Sequence, residues 1–125
     1  MTEQGFEVTR SGRHAIVTMP AEIDLINATG LGDQLSAAAS RSPDLITIDM
    51  SATTFCDSAG IRALARAHEQ AAASGAELRI AIGDSPVRRI LQLTGLDQVV
   101  PVYHNVRQSL TTPRADPSRN PDSSK

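Results

Sequence analysis

The feature of this sequence that most limits its fold is the alternation of short aliphatic runs with longer segments of helical periodicity. Residues 45–49 and 78–82 are two such runs, and the segment between them carries apolar residues at helical spacing. Short runs rich in leucine and isoleucine are typical of buried strands. Two such strands joined by a helix form a parallel pair with a helical crossover. This pattern predicts an α/β fold.

Further strands are predicted on both sides of this unit. Residues 6–10 and 14–19 alternate apolar and polar side chains around Ser11-Gly12, which is typical of a β-hairpin, and Pro20 ends the second strand. Residues 99–102 form a last short apolar run. We therefore predict a mixed sheet of four to five strands, with an N-terminal hairpin and helical crossovers packed against it.

Three long helices are predicted after the hairpin, and residues 105–110 suit one or two further helical turns. The first helix has Asn27 or Thr29 as its cap, the second covers residues 58–74, and the third begins at Asp84 or Ser85. Their predicted apolar faces are Leu31, Leu35 and Ala38 in the first, Ile61, Leu64, Ala65, His68 and Ala72 in the second, and Val87, Ile90 and Leu91 in the third.

Composition changes abruptly near residue 112. Residues 112–125 contain three prolines, five charged residues and no large apolar side chain, so burial cannot offset the entropy of ordering them. We predict one domain over residues 1–111 and a disordered tail over residues 112–125, which fits a total length of 125 residues.

Composition also excludes several function classes. One cysteine rules out an internal disulfide, and no Cys/His cluster suggests a metal site. The one lysine is Lys125, so a phosphate-binding loop lysine and a Schiff-base lysine are missing and no cofactor is expected. An isoelectric point near 5.8 without a basic block argues against direct nucleic-acid binding. With no membrane-length apolar run or secretory signal, we expect a cytoplasmic protein.

The junction between the buried strand and the second helix, residues 49–61, carries the functional signal. In sheets of this kind, sites form where strand ends meet helix starts, and the first turn of a helix favours an anion. Ser58 is a small hydroxyl at that helix start, and Gly60 would let a second molecule come close. The plainer interpretation is that Asp57 or Ser58 only caps the helix.

At this junction the sequence resembles a known family. The runs Leu-Ile-Thr-Ile-Asp-Met-Ser at 45–51 and Phe-Cys-Asp-Ser-Ala-Gly-Ile at 55–61 are similar to the signature of STAS domains, and of the bacterial anti-sigma factor antagonists in particular. The resemblance continues in the family's order through Ala-Glu-Ile-Asp at 21–24, Gly-Ala-Glu-Leu at 75–78, Val-Arg-Arg-Ile-Leu at 87–91 and Thr-Gly-Leu-Asp at 94–97. It covers about residues 5–111.

The resemblance implies a phosphorylation-switched binding protein and not an enzyme. It implies that Ser58 is phosphorylated by a partner anti-sigma factor, itself an ATP-dependent serine kinase, and that a serine phosphatase reverses this. Unphosphorylated, such a protein binds the kinase and frees the sigma factor. The partner surface implied by the family positions comprises Asp24, Asp57, Ser58, Ala59, Gly60 and Ile61. Ala59 stands where many members carry a second serine.

Three alternatives to this interpretation exist. A serine hydrolase would need a Gly-x-Ser-x-Gly elbow and a supporting histidine, and neither is evident. A phospho-aspartate receiver using Asp49 would need a lysine after its last strand, which the terminal Lys125 cannot supply. A STAS scaffold or small-ligand sensor that works without phosphorylation stays open. His68 is interpreted as a core histidine and Cys56 as a small apolar core residue.

Overall fold

The computed structural model describes residues 7–39 and 43–113; Phe6 and the predicted tail beyond residue 113 lie outside the described residues. The strands are β1 Glu7–Ser11, β2 His14–Thr18, β3 Glu22–Ile23, β4 Leu45–Asp49, β5 Phe55–Cys56, β6 Glu77–Ala81 and β7 Val102–Tyr103. The helices are α1 Leu25–Ala39, α2 Ser58–Ala73, α3 Pro86–Thr94 and α4 Val106–Thr111, with a 3₁₀ turn at Leu96–Gln98.

The main sheet confirms the predicted mixed α/β fold. Its five strands lie in the order β1-β2-β4-β6-β7. β1 and β2 form the predicted antiparallel hairpin, whose turn uses Gly12 at a φ of +59°, where a residue without Cβ is unstrained. β2, β4, β6 and β7 run parallel, so their carboxyl ends meet at one edge of the sheet. The junction between β4 and α2 lies at that edge.

A second, two-stranded sheet was not predicted from the sequence. β3 and β5 pair in parallel, with Ile23 opposite Cys56. The Thr54 amide donates to the Ala21 carbonyl at 2.7 Å, and the Asp57 amide donates to the Ile23 carbonyl at 3.1 Å. Strands of two residues are too short to give a periodic signal. This small sheet joins the segment before α1 to the segment before α2.

The predicted cap of α1 is wrong, because the helix begins at Leu25 and Asp24 caps it. The Asp24 carboxylate accepts from the Ile26 amide at 3.0 Å and from the Asn27 amide at 3.2 Å. The Asn27 side chain in turn accepts from the Asp24 amide at 2.9 Å. This reciprocal arrangement satisfies amides that the first helical turn leaves unpaired, so α1 starts earlier than its apolar periodicity suggests.

The predicted inward face of α2 is partly wrong. The buried residues of this helix are Gly60, Leu64, Ala67 and Ala71, while Ala72 is exposed. Ile61, Ala65 and His68 are only half-buried at the edge of the contact, so His68 is not a core histidine. The small residues of α2 let this helix pack closely on the sheet. A prediction based on large apolar side chains therefore places the buried face of α2 about one residue away from its true position.

The last strand also differs from its prediction. Val99 and Val100 follow the 3₁₀ turn, and both of their amides donate to the Leu96 carbonyl. The strand forms later, as β7, because Pro101 ends this turn-like segment and its carbonyl accepts from the Ile80 amide. The short final helix is confirmed as α4, with Asn105 as its cap at 2.8 Å from the Gln108 amide.

The two faces of the sheet differ in chemistry. On the face that α1 and α2 cover, side chains such as Ile46, Ile48, Leu78 and Ile80 form an aliphatic core. The opposite face places Thr47 and Arg79 beneath α4, and both are fully buried. Alternation along a strand sends neighbouring side chains to opposite faces, so β4 and β6 each serve both layers.

Candidate functional site

The starts of α1 and α2 lie side by side at the carboxyl edge of the main sheet. Ile23 pairs with Cys56, so the residues that directly follow the two strands, Asp24 and Asp57, lie at neighbouring positions. Each of these aspartates caps the helix that follows it; Asp57 accepts from the Gly60 amide at 3.1 Å. The predicted site therefore rests on two capped helices whose starts are joined by β3 and β5.

Ser58 is the first residue of α2, and it is exposed. A hydroxyl at this position is presented by a rigid element, because the cap and the β3–β5 pairing both hold the start of the helix. The first turn of a helix also carries unpaired amides and a partial positive charge, which favour a negative group. The arrangement suits addition of an anionic group to the Ser58 oxygen.

Gly60 serves internal packing in this structure. A Cβ at this position would lie 2.6 Å from the Cys56 Sγ and 2.8 Å from the Ile23 Cγ2. Such distances are well inside ordinary van der Waals contact. The missing side chain thus lets α2 approach β3 and β5, which is a different use from the sequence-based expectation that it admits a second molecule.

The six predicted partner-binding residues therefore occupy different environments. Ser58 is exposed, whereas Asp24, Asp57 and Ala59 are half-buried around it. Gly60 is buried, and Ile61 packs against the hydrophobic core. The structure brings all six together at the start of α2, with Ser58 outermost.

Cys56 lies directly beneath the site. Its side chain is buried, as the sequence predicts, and burial together with the charge of Asp57 raises the pKa of the thiol to about 11. The thiol stays protonated at neutral pH, and thiols in that state are poor nucleophiles. Cys56 contributes packing to the site.

Three large exposed apolar side chains in the segments around the starts of α1 and α2 were not identified from the sequence. Leu25 and Ile26, in the first turn of α1, are 74% and 86% exposed, and Phe55 in β5 is 49% exposed. Exposed apolar side chains that cluster together typically mark an interaction surface. The sequence feature that indicates this surface is the Leu-Ile pair directly after Asp24. Because α1 was predicted to begin later, at Asn27 or Thr29, this pair was assigned to a loop.

A shallow groove runs from this patch along α1 and α2. The residues that line its end nearest Ser58 are Leu25, Ala28, Thr29, Ala59, Arg62, Ala63 and Arg66. This end has a volume of about 170 Å³, and the adjoining part of the groove, which extends to Gln70, has a volume of about 240 Å³. Small-molecule sites are usually concave and enclose most of the surface of their ligand, whereas this groove is shallow and open, so it suits a protein surface better than an enclosed small ligand.

Asp49, the residue weighed as a receiver aspartate, is engaged in a local turn. Its carboxylate accepts from the amide of Ser51 at 3.0 Å and from the hydroxyl of the same residue. Among the residues that the structure describes, no cluster of His, Cys, Asp and Glu could hold a metal ion. No helix in that part of the chain is long and apolar enough to cross a membrane.

Comparison with known proteins agrees with this architecture. The family model of the STAS domain matches residues 5–109. The chain belongs to the STAS domain family. The match includes β1 to β7 and the start of α2, so the family assignment rests on the region that carries the site.

Relatives with this STAS domain include named regulators. The chain is 30% identical over 97 residues to the anti-sigma-F factor antagonist RsfB of Mycobacterium tuberculosis, covering 78% of this chain and 79% of RsfB. A crystal structure of an anti-sigma factor antagonist from Mycobacterium paratuberculosis aligns with a TM-score of 0.78 at 29% identity, covering 85% of this chain and 90% of that one. The Bacillus cell fate determinant SpoIIAA, solved in its phosphorylated form, shares the fold with a TM-score of 0.64 at 16% identity, covering 84% and 96%.

Proposed function

We propose that this protein is an anti-sigma factor antagonist that is switched off by phosphorylation of Ser58. In its unmodified state it binds an anti-sigma factor serine kinase and so frees the sigma factor. The observation that carries the proposal is an exposed hydroxyl on a capped helix start, at an edge of the sheet that also carries the exposed apolar residues Leu25, Ile26 and Phe55. Two relatives that carry the name anti-sigma factor antagonist support it.

The modification transfers the γ-phosphoryl group of ATP to the Ser58 oxygen. The hydroxyl proton is lost and ADP is released. The kinase supplies the nucleotide and metal site, since this chain has no lysine before Lys125 and no glycine-rich loop. The antagonist presents the hydroxyl, and a serine phosphatase returns it to the unmodified form.

The switch follows from where the added charge lies. A phosphate brings about −1.5 to −2 charges at pH 7. At a helix start it interacts favourably with the helix dipole by about 0.3–1 kcal/mol, so the fold tolerates it. At the centre of an apolar contact, an unpaired charge costs several kcal/mol. Partner binding is therefore lost while the domain stays folded.

Phosphorylation by the cognate kinase tests the residue assignment. With ATP and Mg²⁺ we expect one phosphate per chain, located on Ser58 by peptide mapping, and none on the Ser58→Ala variant. The neighbouring hydroxyls provide internal controls, because Thr53 donates to the Pro20 carbonyl at 2.8 Å and is buried. Label on Ser51, Thr53 or Thr54 would refute the assignment.

The alternative is a STAS scaffold or ligand sensor that needs no phosphorylation. It predicts that the protein binds a partner complex tightly, that no phosphate is incorporated, and that a charge at position 58 leaves this binding unchanged. The groove beside Ser58 is shallow and open, which argues against a small-ligand sensor at this site. A pull-down that identifies a bound ATPase favours the antagonist.

A further inference from the structure

Two arginines on α2 have no role in the fold described so far. Arg62 and Arg66 are exposed, and both line the groove between α1 and α2. The ion pairs recorded within residues 7–39 and 43–113 are Arg13–Asp44 and Arg79–Glu77, and neither involves these two residues. Two cations four residues apart on one helix face repel each other slightly, so they do not stabilise α2 by themselves.

The groove combines these charges with apolar surface. Leu25 lies at its end nearest Ser58, and Ala59 and Ala63 of α2 line the same end together with the two arginines. Asp33 lines the groove further along, together with Arg66, but no ion pair between them is recorded. Positive charge beside an exposed apolar patch complements a partner segment that carries carboxylates next to apolar side chains.

We propose that Arg62 and Arg66 form a docking site for an acidic segment of the anti-sigma factor, and that a phosphate on Ser58 disables this docking site by pairing with Arg62. The proposal rests on the antagonist function and names the chemistry of its partner and the means of release. It assigns a role to side chains outside the six residues expected at the partner surface.

Helix geometry singles out Arg62 as the residue that meets the phosphate. Ser58 and Arg62 are four residues apart in α2, and such residues lie on the same face, about 6 Å apart along the axis. A phosphate and a guanidinium reach each other over this distance and form charge-assisted hydrogen bonds. Arg66 is eight residues from Ser58, about 12 Å along the axis, which is beyond such contact.

This pairing changes the docking site in two ways at once. Arg62 is withdrawn from the carboxylates of the partner, and the excess negative charge of the phosphate repels the same acidic segment. The antagonist needs no change of fold for release. Arg66 has only one of the two proposed roles, since it binds the acidic segment but lies too far from Ser58 to pair with the phosphate.

The test uses phosphoserine installed at position 58 by codon suppression, which avoids dependence on the kinase. Phosphorus NMR follows the titration of the phosphate near pH 6 in the otherwise unchanged protein, in Arg62→Gln and in Arg66→Gln. We expect the midpoint to be lower in the unchanged protein than in Arg62→Gln by about 0.2–0.4 pH units, and Arg66→Gln to match the unchanged protein. Equal midpoints in all three proteins would overturn the role of Arg62.

Calorimetric titration of the unphosphorylated variants against the anti-sigma factor tests the docking site. Arg62→Gln and Arg66→Gln should each weaken binding by about three- to tenfold and reduce its salt dependence. Arg107→Gln is the matched control, since Arg107 is an exposed residue of α4 on the opposite face of the sheet. If both groove variants bind like Arg107→Gln while the unchanged protein binds well, the docking site is wrong and the antagonist function stands. If the unchanged protein does not bind at all, the antagonist function fails and the docking site fails with it.

Discussion

Some residues of the 55–61 motif have a packing role that the sequence alone does not indicate. Gly60 is one of them, because a Cβ there would meet the Cys56 Sγ at 2.6 Å. Alanine is normally favoured over glycine inside a helix by about 1 kcal/mol. At position 60 we expect the opposite, a loss of about 1–3 kcal/mol in the free energy of unfolding, because the added methyl group overpacks the contact with Ile23 and Cys56.

Gly32 provides the matched control for Gly60→Ala. It lies inside α1, and a Cβ added there meets no atom within 4 Å. Gly32→Ala should therefore raise the free energy of unfolding by up to about 1 kcal/mol. Urea denaturation of both variants makes the comparison, and a Gly60→Ala protein as stable as Gly32→Ala would contradict the packing described for the site.

We expect His14 to make the free energy of unfolding depend on pH. Burial, and secondly the charge of Arg79, lower the pKa of His14 below its ordinary value of 6.5, and its Nε2 lies 2.7 Å from the Thr47 Oγ1. As pH falls below about 6.5, the unfolded chain binds a proton at this side chain before the folded one does, so stability falls. Denaturation at about pH 7.5 and pH 5.5 should show a larger loss in the unchanged protein than in His14→Gln. The same loss in both proteins would contradict this role.

At the scale of elements, the polar layer beneath α4 depends on Arg79. This fully buried side chain donates to the carbonyls of Ser109 and Thr112 at 2.6 Å each and of Pro113 at 3.0 Å, and to the Glu77 carboxylate at 2.7 Å. Its guanidinium also lies 5.3 Å from the centre of the Tyr103 ring. A cation near the C-terminal end of a helix interacts favourably with the helix dipole. Arg79 therefore stabilises the packing of α4 on β6.

Replacing Arg79 should loosen α4 before the rest of the domain. Arg79→Met leaves several acceptors without their partner, and we expect a loss of about 2–4 kcal/mol in the free energy of unfolding. Amide exchange should become fast in α4 while β4 stays protected. Arg88→Met is the control, since Arg88 is half-buried and its recorded side-chain hydrogen bond is to the Ile82 carbonyl. Equal effects of the two variants would contradict this account.

The elements that could be predicted from the sequence are those with a clear period or a strong stop signal. The hairpin, β4, β6 and α4 belong to this group, and so does the start of α2 at Ser58. The β3–β5 pair was missed because two residues give no period, and the inward face of α2 was misplaced because its packing uses alanine and glycine. The buried position of Arg79 could not be recognised from the sequence, because the carbonyls that accept from it lie 30 to 34 residues further along the chain.

For the molecule as a whole, most of the packing that holds the fold lies away from the exposed side chains at the starts of α1 and α2. The aliphatic core and the Arg79 layer hold the domain, while the edge at the starts of α1 and α2 presents Ser58, Leu25 and Ile26. A change confined to these exposed side chains alters the surface without disturbing the core. We therefore expect charge at position 58 to affect partner binding far more than folding.

The most direct test of the central claim is a calorimetric titration of Ser58 variants against the cognate anti-sigma factor, with thermal melts of each variant. Ser58→Ala should bind like the unchanged protein. Ser58→Asp should bind at least about tenfold more weakly, because a carboxylate is buried in the contact, and its melting temperature should stay within a few degrees. A Ser58→Asp protein that binds as tightly as the unchanged protein, or that unfolds, would contradict the switch.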